Sequence, residues 1–269
     1  MKNISLDKYL CVKCGQCVAV CPSHIFRRTT PNVYPVCTDY ASEVCISCNH
    51  CQAVCPVGAI KVDGIGTDDC LSMSRDSVPR FEHIENLARA RRSIRCYTDA
   101  AVEDKEIESL LDIVRYAPSA RNGLPVKWIA VNNRKKVKEL AGYVATWAET
   151  QLNSELLLAE WKSGNDPFFR GAPCVLAAYT NETAMWPVVD ASIAVATLDL
   201  CATAKRLGSC WAGYFVRAAQ SETDKAKING WLGLKSDETV QGALMLGHCG
   251  EVTYQRIPYR PEAELRWIR

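Results

Sequence analysis

The stretch CVKCGQCVAVCP, Cys11 to Pro22, recurs with the same spacing as CISCNHCQAVCP, Cys45 to Pro56. Nothing else in the chain restricts its fold as strongly. A Cys-x2-Cys-x2-Cys loop can set three thiolates around one iron–sulfur cubane, and the fourth has to come from elsewhere. In the run C-x2-C-x2-C-x3-C-P the last cysteine ligates the other cluster of a pair, so two such runs interlock. On that rule Cys11, Cys14, Cys17 and Cys55 hold one [4Fe-4S] cluster, and Cys45, Cys48, Cys51 and Cys21 hold a second. Structural zinc also uses paired Cys-x2-Cys, but two complete runs favour the clusters. Cys37 lies between the runs and matches no ligand position.

The two runs resemble bacterial two-cluster ferredoxins over residues 1–62. A polar connector rich in Gly, Asp and Ser follows, and residues 63–80 read as a linker. The remaining cysteines, among them Cys70, Cys96, Cys174, Cys201, Cys210 and Cys249, share no ligand spacing and are expected to pack as small apolar groups. Fifteen cysteines behind an N-terminus without an apolar signal core fit metal ligation in a reducing cytoplasm better than a disulfide framework. A net charge of +2, with acidic and basic residues interleaved, predicts no nucleic-acid partner. No run reaches the roughly 20 apolar residues that a bilayer requires, so no membrane span is expected.

Beyond the linker the pattern changes to alternating helices and strands. Phe81, Ile84 and Leu87 have helical spacing. Ile107, Leu110, Leu111 and Val114 form a stripe after Asp104, a candidate N-cap, and Val137, Leu140, Ala141 and Val144 form another. The segment Val188 to Lys205 is apolar on nearly every face, as a helix buried between layers or subunits would be. Short apolar runs at Trp128–Val131, Cys174–Tyr179 and Ala243–Leu246 fit buried strands, although periodicity alone leaves helix open.

The segment RRSIRCY begins at Arg91. If extended, it sets Arg91, Ser93 and Arg95 on one side, which suits a phosphate or another anion. A solvated basic surface is the blander reading. APSARNGLP, Ala117 to Pro125, follows, and the chain closes with LGHCGE and RIPYRPEAEL. Taken in order, these motifs resemble the FMN-dependent nitroreductase family over residues 81–269, with R-x-S-x-R, A-P-S-x-x-N-x-x-P and a Gly-rich strand exit followed by basic residues. The whole chain is similar to the ferredoxin-fused branch of that family. The resemblance implies an α+β chain: a small two-cluster ferredoxin-like domain, then a nitroreductase-like domain whose central, mostly antiparallel sheet is flanked by helices.

The same resemblance implies site residues. Arg91 and Ser93 would contact the FMN phosphate and ribityl end, and Arg95 the flavin N1 and C2 carbonyl, where positive charge favours the reduced anion. Pro118, Ser119, Ala120 and Asn122 match the loop under the isoalloxazine, contributed by a partner subunit of a homodimer. Arg260 matches the C-terminal phosphate ligand, with Arg256 a second candidate. Ala212 and Gly213, in GSCWAGYF, match the segment whose backbone N–H faces flavin N5. The family's common Gln-Pro-Trp is replaced by Leu124-Pro125-Val126, so substrate choice does not carry over.

The function expected is an oxidoreductase that passes electrons from reduced ferredoxin, or another low-potential donor with NAD(P)H as a further candidate, through two clusters to FMN. From there they reach a small electrophile such as a nitroaromatic or quinone. The rival is a non-enzymatic carrier or redox sensor. No dedicated acid–base pair stands out.

Overall fold

The computed structural model describes every residue except Asn153 and Glu251. The chain divides into two compact units: residues 1–79 with 121–123, and residues 80–120 with 124–269.

The first unit is a pair of two-stranded ribbons and three short helices: β1 (Ile4–Leu6), α1 (Gln16–Val20), β2 (Phe26–Arg27), β3 (Val36–Cys37), α2 (Ala41–Val44), α3 (His50–Ala53) and β4 (Ile60–Val62). β1 pairs antiparallel with β4, placing Ile4 opposite Val62, and β2 pairs antiparallel with β3. Ile25, Phe26, Ala41, Ile60 and Val62 form the core together with Cys17 and Cys51. The core is small because so much of the unit's sequence is committed to cysteine loops. A core this small is commonly supplemented by a bound metal. The connector does not leave at once as an open strand: Ile65 and Val62 exchange backbone hydrogen bonds, and the Gln52 side-chain amide donates to the Ile65 carbonyl.

The second unit contains α4 (Phe81–Ala90), α5 (Asp104–Val114), β5 (Lys127–Val131), α6 (Arg134–Gln151), α7 (Glu155–Lys162), β6 (Cys174–Asn181), α8 (Pro187–Ala204), β7 (Leu207–Trp211), α9 (Gly213–Ala219), α10 (Lys225–Leu232) and β8 (Glu238–His248). Its four strands run in the order β5-β6-β8-β7, and every pairing is antiparallel. β6 shows why the sheet sits in the middle. Val175 and Ala177 point into one core, with Leu140, Val144 and Phe215, while Cys174, Leu176 and Ala178 point into the other, with Leu110, Val195 and Leu198. Side chains alternate across a strand, so an apolar residue at every position means that both faces are covered.

Several expectations change here. Glu103, not Asp104, is the N-cap of α5, and its N–H donates to the Glu106 carboxylate three residues on. Asp104 is the first helical residue and accepts from the Asn132 amide. The run at Ala243–Leu246 is the centre of a longer strand, and β7 was not anticipated as a strand. Among the described residues one helix, α8, is long and apolar enough to cross a membrane by length and composition. It packs here as a core helix, burying Ala191, Ala194, Val195, Leu198 and Ala202 against the sheet. Val188, Val189, Ser192 and Ala196 on its other side are exposed. Packing explains Cys174 and Cys210, which are buried, but not Cys96 and Cys249, which are exposed.

Candidate functional site

The eight motif cysteines sort into two hollows. One is lined by Cys11, Cys14, Cys17 and Cys55, the other by Cys21, Cys45, Cys48 and Cys51, and Cys37 lines neither. Each hollow thus takes three sulfurs from its own run and one from the other. The local geometry follows from two residues in the left-handed region, Gly15 (φ 77°) and Asn49 (φ 59°), which turn each loop into the short helix bearing Cys17 or Cys51. The positive φ favours glycine at position 15, where the end of the flexible Arg28 side chain lies against it. The Cys11 sulfur accepts the Lys13 N–H at 3.4 Å and the Cys55 sulfur accepts the Ala59 N–H at 3.2 Å.

Among the described residues no three Cys, His, Asp or Glu side chains converge on a single ion position. Four sulfurs around a hollow suit the corners of a cubane, whereas zinc draws its four thiolates onto one point. Burial pushes the Cys17 thiol up to about 11 and the Cys51 thiol up to about 12. Without iron these groups keep their protons, and metal binding expels them.

In the second unit, the segment after α4 meets β7 at Ser93 and Ile94 and the residue following β8 at Tyr97. Ser93 forms a parallel bridge to Ser209, and the Ile94 N–H donates to the Ser209 carbonyl at 2.8 Å. The approach is close enough that a Cβ on Gly208 would fall 2.7 Å from Ile94 Cγ2. Arg91 Nη1 donates to Asp199 Oδ2 at 3.0 Å, and Asp199 Oδ1 accepts from Ser209 Oγ at 2.5 Å. One carboxylate on α8 therefore aims Arg91 and ties it to β7, leaving the rest of its guanidinium fork for an anion.

Arg95 lines a hollow of about 590 Å³ with Arg170, Arg217, Phe168, Trp211, Gly213 and Tyr214. Three guanidinium groups and aromatic walls, in a volume typical of ligand pockets, fit an aromatic anion such as FMN. Gly213 is the first residue of α9, where an N–H has no intrahelical acceptor. The Ala212 N–H, by contrast, is spent on the Ala243 carbonyl at 3.0 Å, so of the two candidates Gly213 has the better placed donor.

The loop at 118–122 lies elsewhere. Pro118 and Ser119 line a separate cavity of about 270 Å³ with Trp128 and Asp190. Asp190, buried at 3% exposure, accepts the Ala120 N–H at 2.9 Å, and Ser119 Oγ accepts the Leu124 N–H at 3.0 Å. Arg121, Asn122 and Leu124 all have positive φ (49°, 55° and 45°). Such strain clusters where a loop is held for a purpose. Residues 121–123 are grouped with the first unit, where the Asn122 amide donates to the carbonyls of Ile46 and Ser47. Arg256 and Arg260 lie in an exposed segment without helix or strand. A single chain does not gather all the expected flavin contacts into one cavity.

Asp190 and Asp199 escaped the sequence reading as site residues. Their signal was available: both are carboxylates inside an otherwise apolar helix, and a buried charge implies a partner. His248 Nε2 lies 3.7 Å from the Glu106 carboxylate.

Comparison with known proteins decides the family. Residues 88–248 match the nitroreductase family, and residues 10–63 match the 4Fe-4S dicluster domain. This chain belongs to the nitroreductase family. It is an oxidoreductase of that family with an iron–sulfur domain ahead of the catalytic one. A protein of Archaeoglobus fulgidus, provisionally named NADH dehydrogenase/NAD(P)H nitroreductase, is 30% identical over 168 residues, or 62% of this chain and 86% of that one. An FMN-bound nitroreductase from Bacteroides fragilis superposes with a TM-score of 0.60 at 21% identity, covering 69% of this chain and 98% of its own. Another, from Desulfitobacterium hafniense, gives 0.56 at 21% identity, covering 66% and 93%. The α+β architecture expected from sequence is the family's.

Proposed function

We propose that this nitroreductase-family chain is an FMN-dependent oxidoreductase that receives single electrons from a low-potential donor through two [4Fe-4S] clusters and delivers them to a small electrophile such as a nitroaromatic or quinone. FMN supplies the exchange between one-electron and two-electron chemistry. The observation that carries the reading is the sorting of eight cysteines into two cages of four, each completed by a residue of the other run. A chain that took only hydride from NAD(P)H would have no use for them. Arg91, Ser93, Arg95, Gly213 and Arg260 bind the cofactor, the arginines holding its anionic groups. Pro118, Ser119, Ala120 and Asn122 complete the site from the partner of a homodimer. The fifteen unpaired cysteines accord with a reducing cytoplasm.

NAD(P)H is the competing donor, favoured by the printed name of the Archaeoglobus fulgidus relative. Rapid-mixing absorbance on the intact protein and on a fragment starting near Asp76 separates the two. A nitroreductase of about that extent exists as a separate chain, since the Bacteroides fragilis protein is covered over 98% of its length. Expected are eight irons and eight sulfides per chain, retained in Cys37→Ser, and flavin reduction that follows cluster bleaching. The fragment should bind FMN but lose most ferredoxin-driven reduction. NAD(P)H outpacing every one-electron donor, or a fragment as fast as the whole chain, would end the relay reading.

A further inference from the structure

The two cages differ in what surrounds them. Of the eight ligand cysteines Cys14 alone is exposed; Cys21, Cys45 and Cys48 are half-buried and Cys51 is buried. One-electron transfer falls steeply with separation, so an exposed ligand marks the face at which a carrier can approach. That face is also basic. Lys13 sits inside the ligand loop with its ammonium over the Tyr34 ring at 4.3 Å, and the Arg28 guanidinium lies against Gly15. Lys8 is exposed on the turn that leads into Cys11, where the Asp7 carboxylate is occupied in accepting the Tyr9 and Leu10 N–H groups. Lys8, Lys13 and Arg28 have no carboxylate partner among the described residues. Beside them Tyr9, Leu10 and Val12 are exposed at 102%, 50% and 58%. An apolar centre edged by unpaired cations is the composition of a protein-docking patch.

The opposite sign gathers near the other cage. Residues 1–36 hold five Lys and Arg against the single carboxylate Asp7, whereas residues 37–79 hold two against six Asp and Glu. Glu43 stands two residues before Cys45, and Asp63 lies beside Ser47 in the ligand loop.

We infer that the Cys14 face, with Lys8, Lys13 and Arg28 around Tyr9, Leu10 and Val12, is the docking surface for an acidic protein that carries single electrons, which enter at the Cys11/Cys14/Cys17/Cys55 cage. This rests on the relay reading above and names its donor. In each encounter the carrier is oxidised by one electron and that cluster is reduced by one; two encounters supply the pair that the substrate consumes. Opposite charge steers such encounters and raises their rate by about 10- to 1,000-fold, an advantage that salt removes.

The test uses full-length holoprotein and an acidic plant-type [2Fe-2S] ferredoxin as probe. In Lys13→Glu/Arg28→Glu, calorimetric titration of oxidised ferredoxin should show a Kd weakened about tenfold or more, and cluster bleaching by reduced ferredoxin should slow as much at low salt. The gap should close at about 0.5 M salt. Methyl viologen radical, a small donor with no docking face, should reduce both proteins alike. Lys13 lies in the ligand loop, so iron is counted first. If it is lost, Lys8→Glu/Arg28→Glu, outside the loop, carries the same expectation. Equal ferredoxin affinity and rate in variant and parent overturn the inference, as does a parent rate indifferent to salt. So does a variant that changes only self-association in sedimentation, which would assign the patch to a second copy of this chain. Viologen-reduced clusters that never pass electrons to the flavin in either protein would instead sink the relay and leave the docking result standing.

Discussion

Arg91 is tied into the fold by Asp199 and is also proposed to hold the FMN phosphate. Its ion pair with Asp199 is mostly shielded, with side chains 31% and 17% exposed, and Asp199 also accepts from Ser209. On the proposed role of Arg91, Arg91→Ala removes a charge-assisted phosphate contact of about 1.5–3 kcal/mol, and it leaves the half-buried Asp199 carboxylate short of a cation. FMN should bind about tenfold to a hundredfold more weakly, and the melting temperature should fall as well. Arg260→Ala, in an exposed segment, should weaken FMN to a similar degree with the melting temperature unchanged. Fluorescence titration of released flavin with parallel calorimetry reads both quantities. Unchanged flavin affinity in both variants would remove them from the phosphate site.

At the scale of elements, the segment 91–95, proposed to bind FMN, is held against β7 by the Ser93–Ser209 bridge and the Ile94 N–H. Gly208 is what admits it: a Cβ there would meet Ile94 Cγ2 at 2.7 Å and Cys249 Sγ at 3.2 Å. Gly208→Ala should cost about 1–3 kcal/mol through overpacking, and should weaken FMN retention because Ser93 and Arg95 shift with Ile94. Gly142 sits in α6 with nothing within 4 Å of its would-be Cβ, so Gly142→Ala should be neutral or stabilising and is the control. Thermal denaturation and flavin content of the two variants decide it; equal stability would mean that β7 does not set the position of the segment.

For the whole molecule, the unburied side of α8 is the feature that a single chain leaves unexplained. Val188 and Val189 are 56% and 50% exposed, next to Met185 and Trp186 at 57% and 59%. Four neighbouring exposed apolar side chains suit an association surface. A homodimer with two flavin sites is expected, and it accounts for the separation of the 118–122 loop from the Arg95 hollow within one chain. Sedimentation equilibrium should give twice the chain mass. Val189→Lys should weaken the dimer and release FMN in step. A monomer that keeps its flavin would contradict the shared site.

The 4Fe-4S domain was legible in the chain alone, because cubane ligation demands thiolates at short, fixed separations and leaves a repeated cysteine spacing behind. The apolar strand Cys174–Tyr179 and the stripe Ile107–Val114 were legible for a similar reason: burial on two faces or one imposes a period on neighbouring residues. Periodicity does not carry contacts between residues far apart in sequence. Asp199 meeting Arg91 across 108 positions, Asp190 holding the Ala120 N–H across 70, and Gly208 opening room for Ile94 all depend on which elements the sheet brings together. The same holds for the Ala212 N–H, which the motif left free for a flavin and the sheet gave to Ala243. Local spacing encodes what a loop or one helix face must bind, whereas the partners of a buried charge or a backbone donor are chosen only when distant strands close on one another.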